Sequence, residues 1–299
     1  MENEFRCGYV AILGRPNVGK STLLNQLIGQ KLSITSRKPQ TTRHQILGIK
    51  TTEQAQIVYV DTPGINKSSE RALHRYLNKA AKSIVQDVHV ILFVIEAMNW
   101  TDDDDIVLET LLQAQCPVIL TVNKVDKVKN KDDLLPFLQM VAKKADFADV
   151  IPVSATKAVQ TSELEHEIIN HLPPSEAYYP EDQLTTRSSR FLASEIIREK
   201  VIRLLGDELP YVTSVEIEKY DDQPKLLKLH ALIWVERENQ KPIVIGKNGE
   251  MLKRIGTQAR QALEKFFDKK VHLQTWVKVR SGWSDDERAL QQLGYQDEQ

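Results

Sequence analysis

The chain has 299 residues, 41% of them hydrophobic and 27% charged, with a net charge of −1. That length predicts one or two domains, and we expect two. A near-neutral chain does not bind nucleic acid by bulk charge, so any such surface must be a local patch. No apolar run has the length of a membrane span, and Met1–Phe5 does not resemble a secretion signal. We therefore expect a cytosolic protein in which Cys7 and Cys116 are reduced core residues.

A glycine-rich loop follows the first apolar run. Residues 9–13 predict a buried strand and residues 23–28 a helix, and the segment between them has the phosphate-loop spacing Gly-x-x-x-x-Gly-Lys-Ser. In such a loop the backbone N–H groups and the helix N-terminus bind phosphate oxygens, the lysine reaches the β- and γ-phosphates, and the serine hydroxyl binds Mg²⁺. A chance match on a tight turn is the alternative. The predicted nucleotide-binding residues are Gly14, Arg15, Pro16, Asn17, Val18, Gly19, Lys20, Ser21 and Thr22.

Residues 33–44 form a polar stretch without helix or strand periodicity, so they predict a loop. Because it follows the phosphate loop, it is a candidate switch segment. Thr42 would give Mg²⁺ a hydroxyl ligand only when the γ-phosphate is present. A plain surface loop is the alternative.

Residues 45–50 and 55–60 predict two antiparallel strands. The second strand ends in a four-residue segment, Asp61-Thr62-Pro63-Gly64. A carboxylate at the carboxyl end of a buried strand lies where ligands bind in open α/β sheets. We expect Asp61 to hold Mg²⁺, directly or through water, and the Gly64 N–H to meet the γ-phosphate. The same segment also suits an ordinary turn.

Residues 71–86 predict a helix, and residues 89–95 and 117–122 predict buried parallel strands. The acidic run over residues 102–105 lies between these strands. Acidic side chains favour the positive end of a helix. We interpret the run as the start of a helix rather than a metal cluster.

Base recognition is predicted at the ends of two strands. Asp126, in Asn123-Lys124-Val125-Asp126, can accept hydrogen bonds from the N1–H and 2-amino groups of guanine, which adenine lacks. A site built this way rejects the wrong ligand by about 10⁴–10⁵. We expect Asn123 to brace the loop and bind the base edge, and the Lys124 stem to lie along the purine. The strand over residues 149–153 leads into a second loop, whose backbone would meet the guanine O6. This loop contributes Ser154, Ala155 and Thr156.

These blocks resemble the translation-factor-related class of P-loop GTPases, and their sequence is similar to the Era and TrmE branch of that class. The resemblance implies binding of GTP and GDP with Mg²⁺, and slow hydrolysis in which Lys20, Thr42, Gly64 and Asn17 take part. Ile65 stands where signalling GTPases carry a water-positioning glutamine, so hydrolysis proceeds without that group. Related members hold a K⁺ ion partly through the residue that matches Asn17, and we carry this over as a hypothesis.

The second half predicts a smaller α+β domain. A proline-rich stretch precedes an amphipathic helix over residues 186–205, which Pro210 would stop. Two strands, residues 212–217 and 227–235, are expected to join through residues 221–224. A Gly-x-x-Gly loop between two helices follows, then a helix through Phe267 and a strand over residues 271–277.

This Gly-x-x-Gly segment resembles the loop of the KH RNA-binding domain of prokaryotic type. Glycines allow backbone N–H groups to approach a ribose-phosphate chain while the bases lie in an apolar groove. A domain with this pattern that binds no RNA is the alternative. The predicted RNA-binding residues are Ile245, Gly246, Lys247, Asn248, Gly249 and Lys253.

Taken together, the two halves resemble the Era family of small-subunit ribosome-assembly GTPases. We expect an α/β P-loop GTPase domain over residues 1–174, with a mostly parallel sheet and helices on both faces. A linker over residues 175–185, a type II KH domain over residues 186–284 and a tail over residues 285–299 complete the predicted organisation.

The family resemblance also implies partners and a place in the cell. It implies binding near the 3′ end of 16S rRNA and to the 30S subunit, cytoplasmic location, some peripheral membrane association and a monomer. Two adjacent binding sites joined by a short linker further predict a nucleotide-dependent switch in RNA binding. Two alternatives stay open: a kinase whose second domain holds a small substrate, and an RNA-binding scaffold that keeps GTP as a structural ligand with negligible turnover.

Overall fold

The structure is a computed structural model that describes residues 4–36, 38, 41–64, 87–206, 209 and 213–283. The described residues form two compact units. The first contains the described residues up to Thr186 except those within Ile34–Thr41, and the second contains the latter together with the described residues from Arg187 onward. The predicted domain boundaries remain predictions.

A six-stranded sheet forms the centre of the first unit. Its strands are β1 (Arg6–Leu13), β2 (Ile46–Thr51), β3 (Ala55–Asp61), β4 (Val90–Glu96), β5 (Val118–Asn123) and β6 (Asp149–Pro152). The order is β2-β3-β1-β4-β5-β6, with β2 antiparallel to β3 and the other pairs parallel. Strand β3 is buried along its whole length, as a strand covered on both faces should be. The parallel strands therefore end at one edge of the sheet, where the predicted loops begin.

Of the described α-helices of this unit, three lie between strands of this sheet in the sequence and one follows β6. They are α1 (Lys20–Ile28), α2 (Asp102–Leu111), α3 (Leu134–Ala142) and α4 (Thr161–His171). The acidic run does begin a helix: Thr101 and Asp104 form a capping box at the start of α2. The predicted helix over residues 71–86 lies outside the described residues.

The second unit contains a three-stranded sheet with helices. Its elements in chain order are α5 (Ser189–Leu204), β7 (Thr213–Asp222), β8 (Leu226–Val235), α6 (Lys241–Ile245), α7 (Glu250–Phe267) and β9 (Lys270–Val279). Strand β8 is central, antiparallel to β7 and parallel to β9. Apolar residues of α5, α7 and the sheet share one core, including Ile197, Leu229 and Ile255. This arrangement confirms the predicted architecture, an α/β domain with a mostly parallel sheet followed by a smaller α+β domain.

Several predicted bounds were wrong. Helix α5 starts at Ser189, because the Ser188 side chain accepts a hydrogen bond from the Phe191 N–H and caps it there. The helix ends before Gly206, a poor helix former, so Pro210, which lies outside the described residues, is not its stop signal. Strand β7 runs on to Asp222.

The predicted linker is partly packed onto the first sheet. The Gln56 side-chain oxygen accepts hydrogen bonds from the N–H groups of Tyr178 and Tyr179, at 2.8 and 2.9 Å. The Ile49 N–H donates to the Leu184 carbonyl at 2.9 Å. This stretch is therefore held by polar contacts that its proline content did not reveal.

Both cysteines are free thiols; Cys7 is fully buried and Cys116 is half-buried. Of the helices in the described ranges, none is both long enough and apolar enough to cross a membrane.

Candidate nucleotide site and RNA-binding loop

The phosphate loop connects β1 to α1 and depends on its two glycines. Gly14 has φ +151° and Gly19 has φ +106°. An added Cβ would lie 2.3 Å from the Val94 carbonyl oxygen at Gly14, and 2.3 Å from Asn123 Nδ2 at Gly19. Neither approach leaves space for a side chain. Asn17 also has a positive φ, 66°, which asparagine tolerates better than most residues.

Lys20 is the first residue of α1, and its side chain is only 7% exposed. Its Nζ donates to the carbonyl oxygens of Gly14 and Arg15, both at 2.9 Å, so it spans the loop. Burial lowers the pKa of Lys20 to about 8, although the nearby Asp61 opposes this effect. Polyphosphate oxygens in the loop would stabilise the charged form of this lysine.

Oxygen atoms from three elements meet beside this lysine. The Ser21 hydroxyl donates to Asp61 Oδ2 at 2.8 Å and lies 2.8 Å from Thr42 Oγ1. The Ser33 hydroxyl donates to the same Asp61 oxygen at 2.7 Å. Ser33 was not predicted, because a serine in a polar loop gives no sequence signal of its role.

The Asp61 carboxylate is fully buried, and no described residue hydrogen-bonds its Oδ1. Burial raises the pKa of Asp61, while the hydrogen bond from Ser33 and the charge of Lys20 lower it. A buried carboxylate oxygen without a partner, beside two hydroxyl groups, is a donor set that suits Mg²⁺. The sequence-predicted metal residues, Ser21, Thr42 and Asp61, thus lie together.

Asn123 links the phosphate loop to the predicted base loops. Its Nδ2 donates to the Val18 carbonyl at 2.9 Å, and its Oδ1 accepts from the Ala155 N–H at 3.1 Å. The side chain is 2% exposed, so both partners are shielded from water. The bracing predicted for Asn123 therefore has a specific geometry.

The carboxylate of Asp126, which we predict to recognise guanine, is held in place by the second loop. The Ser154 hydroxyl donates to Asp126 Oδ1 at 2.6 Å. Lys124 has φ +67°, and its Nζ lies 2.9 Å from a Glu96 oxygen. Glu96 was not predicted as part of the site, since it ends β4 without any motif of its own.

Arg15 also has an unpredicted partner. Its Nε donates to Asp104 Oδ2 at 3.0 Å, and Asp104 is buried within the first turn of α2. The sequence assigned Asp104 only to a helix start. In the structure Asp104 both caps the start of α2 and accepts the hydrogen bond from Arg15, which fixes the outer side of the phosphate loop.

The segment that follows β3 approaches the phosphate loop closely. The Thr62 hydroxyl donates to the Ile12 carbonyl at 3.0 Å, which ties the segment to β1. An added Cβ on Gly64 would lie 2.8 Å from the Pro16 nitrogen and 3.1 Å from Lys20 Nζ. Gly64 is therefore placed beside the predicted γ-phosphate position, and Pro63 precedes it. Ile65 lies outside the described residues.

The Gly-x-x-Gly loop of the second unit joins α6 to α7. Gly246, Asn248 and Gly249 all have positive φ values, 75°, 52° and 80°. An added Cβ on Gly246 would lie 2.7 Å from Met251 Cβ. The loop is thus compact on the Gly246 side and open on the Gly249 side, where no atom lies within 4 Å of an added Cβ.

A groove of about 410 Å³ begins at Gly249 and runs along α7 to β9. Leu252 and Leu273 supply apolar surface, and Lys253 and Arg260 supply positive charge. Ile245 directly precedes the loop, and Lys247 lies within it. Of the predicted RNA-binding residues, Gly249 and Lys253 line this groove, which has the apolar and basic character that stacked bases and phosphates require.

Two family models match the chain. The "50S ribosome-binding GTPase" model matches residues 9–124, and the "KH domain" model matches residues 208–284. GTPase Era of Azotobacter vinelandii is 56% identical over 296 residues, which cover 99% of each chain. The chain belongs to the GTPase Era family. GTPase Era of Pseudomonas aeruginosa is also 56% identical, over 98% of this chain and 96% of the relative.

Solved Era structures have the same fold. Aquifex aeolicus Era bound to GDP and AlF₄⁻ has a TM-score of 0.93 at 39% identity, covering 97% of this chain and 99% of its own. Era in complex with MgGDPNP and nucleotides 1506–1542 of 16S ribosomal RNA has a TM-score of 0.94, with the same identity and coverage. Membership of the Era family makes this protein a GTPase with a KH domain.

Proposed function

We propose that this GTPase binds the 3′ region of small-subunit rRNA through its Gly246 loop, under control of the bound nucleotide, during assembly of the 30S subunit. The observation that carries the proposal concerns the switch segment. Residues within Ile34–Thr41 belong to the same compact unit as the RNA loop, whereas Thr42, the next residue, belongs to the unit with the phosphate loop. Because Thr42 is covalently bonded to this segment, we infer that a change at Thr42 reaches the RNA-binding unit.

Within the second unit, this segment is hydrogen-bonded to α5. The Thr35 N–H donates to Glu199 Oε1 at 3.2 Å, and the Arg203 guanidinium donates to the Thr35 carbonyl at 2.8 and 3.0 Å. The Arg198 guanidinium donates to the Thr41 carbonyl at 2.6 Å. Arg198 and Glu199 are buried, so their bonds to the segment are shielded from water, whereas the Arg203 bonds are exposed.

In the proposed site, Ser21, Thr42 and Asp61 would hold Mg²⁺, which would supply positive charge to neutralise the β- and γ-phosphates. Lys20 and the N–H groups of the phosphate loop hold the same phosphates. Gly64 donates its N–H to the γ-phosphate. After hydrolysis, Thr42 loses its γ-phosphate-dependent contact, and the neighbouring Thr41 carbonyl shifts against α5.

Hydrolysis in this scheme relies on electrostatics, because the position after Gly64 is isoleucine and offers no group to orient water. We extend the proposal to a K⁺ ion held partly by Asn17, which would offset charge that develops between the phosphates. Phosphate release measured in K⁺ and in Na⁺ buffers tests this extension. Equal turnover in the two buffers would remove K⁺ from the mechanism.

The RNA side of the proposal rests on the loop and groove of α7. The N–H groups at Gly246 to Gly249 and the Lys247 side chain would hold the ribose-phosphate chain, and Lys253 would meet a neighbouring phosphate. Bases would lie against the apolar groove. We place the protein in the cytoplasm as a monomer, with some peripheral membrane association.

The test is fluorescence anisotropy with a labelled single-stranded RNA from the 3′ end of 16S rRNA. Lys247→Asp/Asn248→Asp should abolish binding, because the added carboxylates repel the phosphates. The control, Lys143→Asp/Asn130→Asp, makes the same change in charge at exposed positions of the first unit. Binding that both double variants weaken equally would assign affinity to net charge and contradict a role for the loop.

A further inference from the structure

Three side chains that the nucleotide mechanism does not use lie together at α4 and β6. Glu167 and His171 are four residues apart on α4, and Asp149 begins β6. Their candidate ligand atoms all lie within 4.8 Å of one another. Within the described part of the chain, this is the one group of three histidine, cysteine, aspartate or glutamate side chains with such spacing.

The location separates this trio from the nucleotide site. Asp149 is at the amino end of β6, whereas the guanine loops follow the carboxyl ends of β5 and β6. In a parallel sheet these ends lie at opposite edges. The trio therefore has no part in holding phosphate, Mg²⁺ or the base.

Small side-chain shifts would bring the candidate ligand atoms of the trio to the spacing of a metal site: the His171–Asp149 pair would open slightly, and Glu167 would move closer to both. His171 Nε2 lies 3.0 Å from Asp149 Oδ2. In a tetrahedral zinc site with bonds of about 2.0–2.1 Å, neighbouring ligand atoms stand about 3.3 Å apart. Residues four apart on a helix present their side chains to the same side, so Glu167 reaches the position by a rotamer change.

We propose that Asp149, Glu167 and His171 form a binding site for a divalent cation of the zinc class. An imidazole nitrogen selects such ions over Mg²⁺ and Ca²⁺, which prefer all-oxygen sites. The side chains of His171 and Asp149 are 29% and 32% exposed, so an ion can reach them from solvent.

A cavity next to the trio supplies room for a fourth ligand. It has a volume of about 480 Å³, and His171 and Asp146 are the polar or charged side chains among those that line it, together with apolar residues such as Leu111 and Phe147. Three protein ligands with space beside them leave one coordination position for water or a small anionic ligand. Bound metal would also join the carboxyl end of α4 to the edge strand β6.

The simpler alternative is that His171 and Asp149 form an ion pair that needs no metal. It predicts that Zn²⁺ binds no better to the wild-type protein than to variants that lack the trio. It also gives Glu167 no role, since the described partner of Glu167 is Asn170, at 3.3 Å. The response of Glu167→Gln therefore separates the two explanations.

The experiment is a Zn²⁺ titration of the full chain against a chromophoric chelator, with the nucleotide site saturated with GDP and Mg²⁺. We expect one Zn²⁺ per chain. Asp149→Asn, Glu167→Gln and His171→Gln should each weaken binding by more than the roughly 10–100-fold typical of an outer-sphere partner. GDP affinity, measured in parallel, should be unchanged, which shows that the variants are folded.

Two controls exclude adventitious binding. His166→Gln removes an exposed histidine from the same helix, and Cys116→Ala removes a thiol that lines the cavity. Both should bind Zn²⁺ like the wild type. Co²⁺ should give the intense visible absorption of a four-coordinate site in the wild type and lose it in Glu167→Gln. Unchanged Zn²⁺ affinity in Glu167→Gln, or an equal loss in His166→Gln, would overturn the proposal.

Discussion

Asn123 offers the sharpest test of how the site is preorganised. Its side chain bonds the Val18 carbonyl in the phosphate loop and the Ala155 N–H in the second base loop. Replacing it with alanine removes both bonds and leaves both partners without the amide. A base-contact role alone would affect only the guanine end of the site. The structure predicts that the phosphate end is affected too.

The magnitude follows from burial. Leaving a buried donor or acceptor unpaired costs about 1–3 kcal/mol. With two such groups, Asn123→Ala should lose about 2–6 kcal/mol of GDP binding free energy if neither loop relaxes. Both loops border the ligand position, so they can move toward water in the free variant. We therefore expect the lower end, about 2 kcal/mol, which is about thirtyfold in GDP affinity.

The assay is a titration with a fluorescent GDP analogue, repeated with fluorescent pyrophosphate-bearing ribose that lacks the base. Asn123→Ala should weaken binding of both ligands. Gln113→Ala, an exposed change on the same domain, serves as the control and should bind both like the wild type. If Asn123→Ala weakens GDP alone and leaves the base-free ligand within threefold of the control, the bracing role is refuted.

Three further outcomes follow from the two sites. The pKa of Lys20 is about 8 without nucleotide, and bound phosphate favours its charged form. GDP affinity should therefore fall above about pH 8, by up to about tenfold per pH unit. In isothermal titrations, the GDP affinity of Lys20→Arg should not change with pH over this range. Asp61→Asn should raise the Mg²⁺ concentration needed for GTP turnover by about 10–100-fold. Burial raises the pKa of Asp61, so the carboxylate costs stability above that pKa, and thermal melts should show the nucleotide-free Asn variant no less stable at neutral pH. In Gly246→Ala, the alanine would have to adopt φ +75°, a backbone strain of about 1–2 kcal/mol, and its Cβ would clash with Met251. RNA affinity should therefore fall in anisotropy titrations, while phosphate release is unchanged.

Much of the fold was predictable because its signals are local. Continuous apolar runs predicted the central strands, and glycine spacing placed the two binding loops between the right elements. The α5 start was missed by three residues because Ser188 caps the helix. Such a cap competes with other serine and threonine residues nearby, and only the packed structure decides among them.

The residues that sequence motifs place in the candidate site were predictable, but the residues that hydrogen-bond or ion-pair with them were not. Lys20, Ser21 and Asp61 belong to recognisable sequence motifs, whereas Ser33 and Glu96 belong to no motif. Their roles arise because distant parts of the chain meet at the carboxyl edge of the sheet. A single sequence has no signal for such meetings. The zinc-class trio was missed for the same reason, since Asp149 comes from a different element than its helical partners.

The central claim is that nucleotide state controls RNA binding. The most direct measurement is the affinity for single-stranded RNA from the 3′ end of 16S rRNA, with GDP and with a non-hydrolysable GTP analogue. We predict tighter binding with the analogue, by a factor in the usual allosteric range of about 5–150. Since coupling is reciprocal, the RNA should tighten binding of the analogue, relative to GDP, by the same factor. Equal RNA affinity in the two nucleotide states would contradict the account and leave two independent modules on one chain.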